Sequence, residues 1–437
     1  MRSGDPIALH ALTAFDAAAG IRAGTVSAAA LVEALLARIR TVDPRLEAWV
    51  HVDESARAPA AERDAEARRG AIRGPLHGVP VGIKDIFHVA GMPTRAGAGP
   101  FAHTTPADDA TSVKRLRAAG AIVLGKTHTT EFAFRDPAPT RNPWNRDHTP
   151  GGSSSGSGAG VAARMVPLAL GSQTVGSVLR PAAYCGVVGL KPTHGLVSAD
   201  GVIPLAWSLD HVGVFARTVA DAALTLGVLA GRSIDVTPTS TPRLALAPEL
   251  SARAEADVAG QVSAAASAFA RAGAVVEEVK LPASFAELHE AGQRVLEAEA
   301  AAYHEPTYRD HASEYREGMR ELIKTGLAQP VTTYVRANRA RLRFRDDVMP
   351  VLAAYDALLS PTAPTPAPRG LAWTGDASLC APWSFSGAPS ISLPSGLAAS
   401  GLPYAIQLTS AAGDEARLLR TAAWCERLLA FSLEPAC

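Results

Sequence analysis

Between residues 150 and 195 the chain interleaves glycine and serine with small apolar residues so densely that its backbone must turn tightly and pack closely. It reads PGGSSSGSGAG over 150–160, VAARMVPLALG over 161–171 and SQTVGSVLRPAAYCGVVGLKPTHG over 172–195. Taken alone, the Pro/Gly/Ser-rich stretch 142–160 resembles a flexible linker. It runs straight into an apolar segment and then into a second glycine-punctuated block, however, and a linker has no reason to lie between two core-like runs. Such a segment calls for a large buried core, and 437 residues with 47% hydrophobic content can supply one.

The rest of the chain alternates helical and short apolar strand-like patterns. Residues 24–44 form an expected amphipathic helix, with Ser27 as N-cap, Leu31, Leu35 and Ile39 on one face and Asp43-Pro44 as its end. Residues 60–69 and 109–119 read as helices, and 74–91 and 121–124 as buried strands with turns. Residues 214–231 read as helix, 243–247 as strand and 252–272 as a long Ala-rich helix. A helix-rich charged region spans 284–348, strand plus Pro-rich loop 357–368, and strand, loop and final helix 402–437. The fold class expected is α/β: a central mixed β-sheet covered by helices. A length prior of about 150 residues per domain suggests roughly three domains. The continuous alternation favours one domain over 1–437 instead, with 235–350 a helix-rich, cap-like region.

Composition narrows the function. Lys plus Arg and Asp plus Glu number 42 each, so no net charge recruits nucleic acid or an anionic membrane. The four cysteines, Cys185, Cys380, Cys425 and Cys437, form neither a Cys-x-x-Cys pair nor a zinc-spaced cluster, which suits reduced thiols and a cytoplasmic location. Met1–Phe15 lacks the basic and apolar regions of a signal peptide, and no run of about 18 apolar residues suggests a membrane span.

Three patterns mislead. Gly120–Thr127 fits G-x-x-x-x-G-K-[ST], but its middle residues are apolar and follow a helix, so a helix-Gly-strand junction is the better reading. Gly152–Gly156 fits G-x-S-x-G around Ser154, but no strand precedes it; chain order leaves open a triad with His194 or His211 and Asp210. Gly97–Ala102 resembles a dinucleotide turn only loosely, with Pro100 in its middle.

Three segments remain, each holding one reactive polar residue: Val81-Gly82-Ile83-Lys84-Asp85, Gly151–Gly156 and Leu170–Pro181. Together with SLDHVGVFARTVADAA, LLSPTAPTPAP and SGAPSISLPSG, they resemble the blocks of the amidase signature family, in family order. The resemblance is dense over 20–230 and thinner over 355–430. It implies the amidase signature fold and a Ser-cisSer-Lys triad: Ser177 the nucleophile, Ser153 the bridging serine entered through a cis peptide from Gly152, and Lys84 the base. The backbone amides of Thr174, Val175, Gly176 and Ser177 would form the oxyanion hole, with Gly152, Ser154 and Arg180 in support.

Elementary chemistry agrees with that assignment. A serine hydroxyl needs a base, and lysine serves only when neutral. Bringing it from about 10.4 to near 7–8 costs about 4 kcal/mol. Burial among Val81, Ile83 and Ile86 acts in that direction, provided Asp85 faces the other way. The implied reaction is hydrolysis of a small aryl or aliphatic carboxamide, ester or carbamate (urethane) through an acyl-enzyme, with no metal or cofactor. The glutaminase subunit of a tRNA-dependent amidotransferase is the alternative. The partner expected is a small-molecule substrate, with no nucleic acid or membrane, for a monomer or homodimer. Gln173 and Val175 depart from the Asp and Gly common in the family, so Arg180 needs a partner other than that Asp. Phe134, Tyr184 and Trp207 are candidate pocket walls. Ser155 and Ser157 are expected to solvate the loop, Lys126 to be structural and Cys185 to be a small buried hydrophobe.

Overall fold

The structure, a computed structural model, describes residues 8–437. The leader reading of Met1–Phe15 falls in part on residues 1–7, outside the described residues. The strands are β1 (Trp49–Val52), β2 (Pro80–Lys84), β3 (Ile122–Thr127), β4 (Leu168–Gln173), β5 (Val188–Lys191), β6 (His211–Ala216), β7 (Arg243–Leu246), β8 (Val275–Glu278), β9 (Ala357–Pro361), β10 (Ser390–Leu397) and β11 (Pro403–Thr409). They form one 11-stranded sheet in the order β1-β3-β2-β4-β6-β5-β10-β11-β9-β7-β8. The sheet is mixed: β2 runs parallel to both β3 and β4, while β6 is antiparallel to both β4 and β5. Helices cover it, and β2, β3, β4 and β6 are buried along their whole length. That burial on both faces is why they read as continuous apolar runs rather than alternating ones.

The serine-glycine tract is core. Residues Ser155–Ala162 form a helix with no exposed face. Its glycines allow close approach: a Cβ at Gly156 would stand 2.1 Å from the Ala48 carbonyl oxygen, and one at Gly171 would stand 2.6 Å from the Phe215 ring. Ser155 and Ser157 do not solvate a loop. Both are buried, and they donate to the carbonyls of Gly151 (2.7 Å) and Leu170 (2.9 Å). A buried hydroxyl needs such a partner, and the tract supplies backbone carbonyls at helix-strand contact distance.

Two expected boundaries move. The first long helix runs Ala28–Leu46, so Pro44 lies inside its last turn rather than ending it. The Asp43 carboxylate closes this end by accepting the Ala48 amide at 2.7 Å. Residues 214–216, expected at the start of a helix over 214–231, belong instead to β6, and the helix is Val219–Ala230. Ladder partners on both sides of β6 override its local helical pattern. Residues 235–350 hold β7 and β8, which continue the sheet, and the helices Phe285–His311, Glu317–Ala328 and Val331–Ala353.

Asp85, just past β2, faces away from the Lys84 side chain and pairs with Lys126 at 2.8 Å; both are at most 2% exposed. Lys126 also donates to Thr94 Oγ1 at 3.0 Å, and Asp85 accepts the Arg95 amide at 3.0 Å. The lysine of the phosphate-loop pattern is thus a strand residue held inside the protein. Removing one member of a buried pair strands the other charge. Asp85→Ala is expected to lower stability by about 3–5 kcal/mol, read from urea denaturation; a loss below about 1 kcal/mol would mean that the pair is not holding this region together.

Candidate active site

Parallel strands end on the same side of a sheet, and this brings Lys84, at the end of β2, beside Ser172, near the end of β4. Lys84 is fully buried. Its Nζ lies 2.6 Å from Ser153 Oγ and 2.8 Å from Ser172 Oγ. Burial holds its pKa well below the ordinary lysine value, opposed by the Asp210 carboxylate. A neutral amine keeps one lone pair, so it can accept a hydroxyl proton from one serine while donating to the other.

Ser153 is held by its loop. The Gly152–Ser153 peptide is cis. The Gly152 carbonyl accepts two bonds from the buried Arg180 guanidinium, at 3.2 Å from Nε and 2.6 Å from Nη2. Arg180 Nη1 reaches the Gly375 carbonyl. Arg180 therefore has carbonyl oxygens as its direct partners, and burial lowers its pKa.

Ser177 follows the turn after β4. Its carbonyl accepts the Ser154 amide at 3.4 Å, and its side chain has a 7% exposed surface. Its hydroxyl makes no hydrogen bond to protein among the described residues, and no side-chain bond joins it to Ser153. The amides of Thr174, Val175, Gly176 and Ser177 also donate to no protein acceptor among the described residues. They are a row of unused donors at a buried turn, where such groups are rare.

Gln173 explains how the turn is fixed without a carboxylate. Its Oε1 accepts the amides of Val178 (2.8 Å) and Leu179 (2.9 Å) at the start of the helix Leu179–Cys185. Its Nε2 donates to Ser384 Oγ, which donates onward to the Val175 carbonyl. At the other end, Thr174 Oγ1 donates to Asp210 Oδ1 at 2.5 Å. Asp210 Oδ2 accepts the Leu205 and Ala206 amides, and burial raises its carboxyl to about 6.

A cavity of about 510 Å³ opens beside this cluster. Ser172 and Thr174 face it, with Ile86, Asp210, His211 and Trp207 among its walls. Of the three aromatic wall candidates, Trp207 lines it. Phe134 does not, and its ring carries the Arg135 guanidinium. Tyr184 packs in a separate cluster with Trp144 and Leu402. His211 Nδ1 lies near the carbonyls of Leu209 (2.6 Å) and Gln173 (3.1 Å), and His194 Nε2 lies 3.1 Å from the Trp207 carbonyl. Ser154 Oγ donates to the Ser172 carbonyl. The Ser154-His-Asp arrangement left open by chain order is therefore not assembled. Sequence reasoning misses Ser172 because its proximity to Lys84 comes from strand register, which motif spacing does not carry.

A family model described as Amidase matches residues 30–419. The chain belongs to the amidase family. Among the similar relatives of this amidase-family chain is a glutamyl-tRNA(Gln) amidotransferase subunit of Anaeromyxobacter sp. (strain K), 38% identical over 95% of each chain. An amidase of Pseudomonas putida is 36% identical over 94% of this chain and 95% of its own. The native peptide amidase of Stenotrophomonas maltophilia superposes with a TM-score of 0.84 at 33% identity, covering 98% of this chain and 99% of the other. The mixed sheet with its helical cover is the amidase signature fold.

Replacing Gln173 by Ala would orphan two helix amides and free the Ser384 bridge. The expected loss is about 2–3 kcal/mol of unfolding free energy, measured by chemical denaturation. A change under about 0.5 kcal/mol would show that another group caps this helix.

Proposed function

We propose that this amidase-family chain hydrolyses a small, uncharged carboxamide, ester or carbamate by acyl transfer to Ser177. The observation that carries the reading is the buried Lys84 amine, within hydrogen-bond distance of the Ser153 hydroxyl. In this mechanism neutral Lys84 takes the Ser153 proton as Ser153 takes that of Ser177. The Ser177 oxygen attacks the substrate carbonyl, and the unused amides of Thr174–Ser177 stabilise the oxyanion, typically the largest catalytic contribution. The relay then returns a proton to the leaving amine or alcohol. The Ser177 ester left behind is cleaved by water, activated through the same relay. Gly152, Ser154 and Arg180 shape the loop that presents Ser153. No metal or cofactor enters.

The choice of substrate rests on the cavity. Among the described residues that line it there is no arginine or lysine, while Asp200 and Asp210 are both present. Its histidines, His88 and His211, are both pushed toward the neutral form by burial. The wall therefore offers no fixed positive charge to a substrate carboxylate, which favours an uncharged amide, aryl carbamate (urethane) or aliphatic amide over free glutamine. The similarity to the Anaeromyxobacter amidotransferase protein supports the other reading, a glutaminase subunit of a tRNA-dependent amidotransferase working with partner chains. The first reading takes the protein to be a cytoplasmic monomer or homodimer of one domain, with the cap of 235–350 narrowed to its helices from Phe285 onward, since β7 and β8 belong to the sheet. The four free cysteines and the placement of Tyr303 on the cavity wall support it.

Assays of nitroanilides, nitrophenyl carbamates and glutamine separate the two readings: aryl substrates are expected to turn over and glutamine not. Ser177→Ala should lower turnover by about 10⁴–10⁶-fold; unchanged activity would refute the mechanism. The pH profile adds an independent check. The Asp210 carboxylate favours protonated Lys84, so Asp210→Asn should move the acid limb of kcat/KM to lower pH. A limb that stays in place would remove Asp210 from any electrostatic part in the relay.

A further inference from the structure

Two large aromatic side chains stand exposed where the cavity meets solvent, Trp207 (53% exposed) and Tyr303 (38%). They come from distant parts of the chain, the loop before β6 and the helix Phe285–His311. Their ring centroids are 6.1 Å apart and their planes cross at 77°.

An exposed tryptophan on a loop normally needs no explanation, but this loop is held with unusual care. The Asp210 carboxylate accepts the amides of Leu205 (2.8 Å) and Ala206 (3.0 Å). Glu299, itself only 7% exposed, accepts the Ser208 amide at 2.8 Å on one oxygen and the Ser208 hydroxyl at 2.6 Å on the other. Tyr334 Oη donates to Glu299 at 3.0 Å. The Trp207 carbonyl lies 3.1 Å from His194 Nε2. Residues on three elements thus fix the backbone on both sides of Trp207 while leaving its indole in solvent. Glu299 lies one helical turn before Tyr303, so the helix that bears one ring also anchors the loop that bears the other. Preorganising an exposed side chain in this way does little for the core, but it lowers the entropy cost of binding something against it.

We propose that Trp207 and Tyr303 form an aromatic subsite that takes a planar ring of the substrate. The near-perpendicular arrangement suits that occupant. A ring stacked on one wall presents its edge to the other, and stacked and edge-to-face contacts are the two favoured aromatic geometries. Ile86, Ile203 and Leu205 are apolar walls of the same cavity, which Ser172 and Thr174 also line. The subsite deepens the proposed function by naming an aryl amide or aryl carbamate as its substrate class, and it rests on that reading only for turnover.

The test separates binding from chemistry. Calorimetric titration of the Ser177→Ala protein uses two pairs of probes of matched size: benzamide with cyclohexanecarboxamide, and acetanilide with N-cyclohexylacetamide. In at least one pair the aromatic member should bind about three- to tenfold more tightly. Adding Trp207→Ala should abolish that preference, with the saturated ring little affected, and Trp207→Phe should restore part of it. Glu299→Ala, which keeps both aromatic residues but releases the loop that carries Trp207, should also weaken the preference. Equal binding within both pairs, a preference that survives Trp207→Ala, or no binding by any probe would overturn the subsite. None of these results depends on whether Ser177 is the nucleophile, which the activity assay decides separately.

Discussion

Everything at the candidate site depends on one constraint: an amine carried at the end of a fully buried strand. Lys84 ends a strand flanked by two parallel neighbours, and none of its surface is exposed. A charge there is costly, so the environment itself favours the neutral form. A neutral amine beside two hydroxyls can accept a proton from one of them. The proposed chemistry would then follow from the fold. Parallel pairing of β2 with β4 puts Ser172 and the turn after it on the Lys84 side. The packed serine-glycine helix brings Ser153 to the same place.

The supporting network is arranged around a charge problem. Asp85, which would keep Lys84 protonated if it faced inward, is occupied by Lys126 on the other side of the strand. The carboxylate that acts on Lys84 is Asp210, and its oxygens are engaged by Thr174, Leu205 and Ala206. Arg180, another buried charge, is met by carbonyl dipoles and holds the peptide before Ser153. Gln173 does by neutral hydrogen bonds what a carboxylate could do at this turn, and so adds no negative charge near the lysine.

Much of this is legible in the sequence. The ordered blocks around Lys84, Ser153 and Ser177 lead to the family and to the sheet, and strand alternation puts Asp85 on the opposite face from Lys84. What escapes detection depends on contacts distant in sequence. Ser172 neighbours Lys84 through strand register. Glu299 meets Ser208 across 91 positions. Ser155 and Ser157 look solvated because serine-rich tracts generally are, yet the glycines between them permit a packing that buries both. The end of β6 looks helical because VFARTVADAA carries a helical apolar spacing; pairing on both edges decides otherwise. Tyr184 and Phe134 suggest pocket walls as aromatic side chains, and neither lines the cavity.

The most direct test of the central claim is the protonation state of Lys84 itself. Protein carrying ¹³C-labelled lysine, assigned by comparison with Lys84→Met, can be titrated by following the Cε resonance. The Lys84 signal is expected to titrate well below the ordinary lysine value of about 10.4. A Lys84 that stays charged until pH 10 or above could not be the base, and the relay built on it would fall.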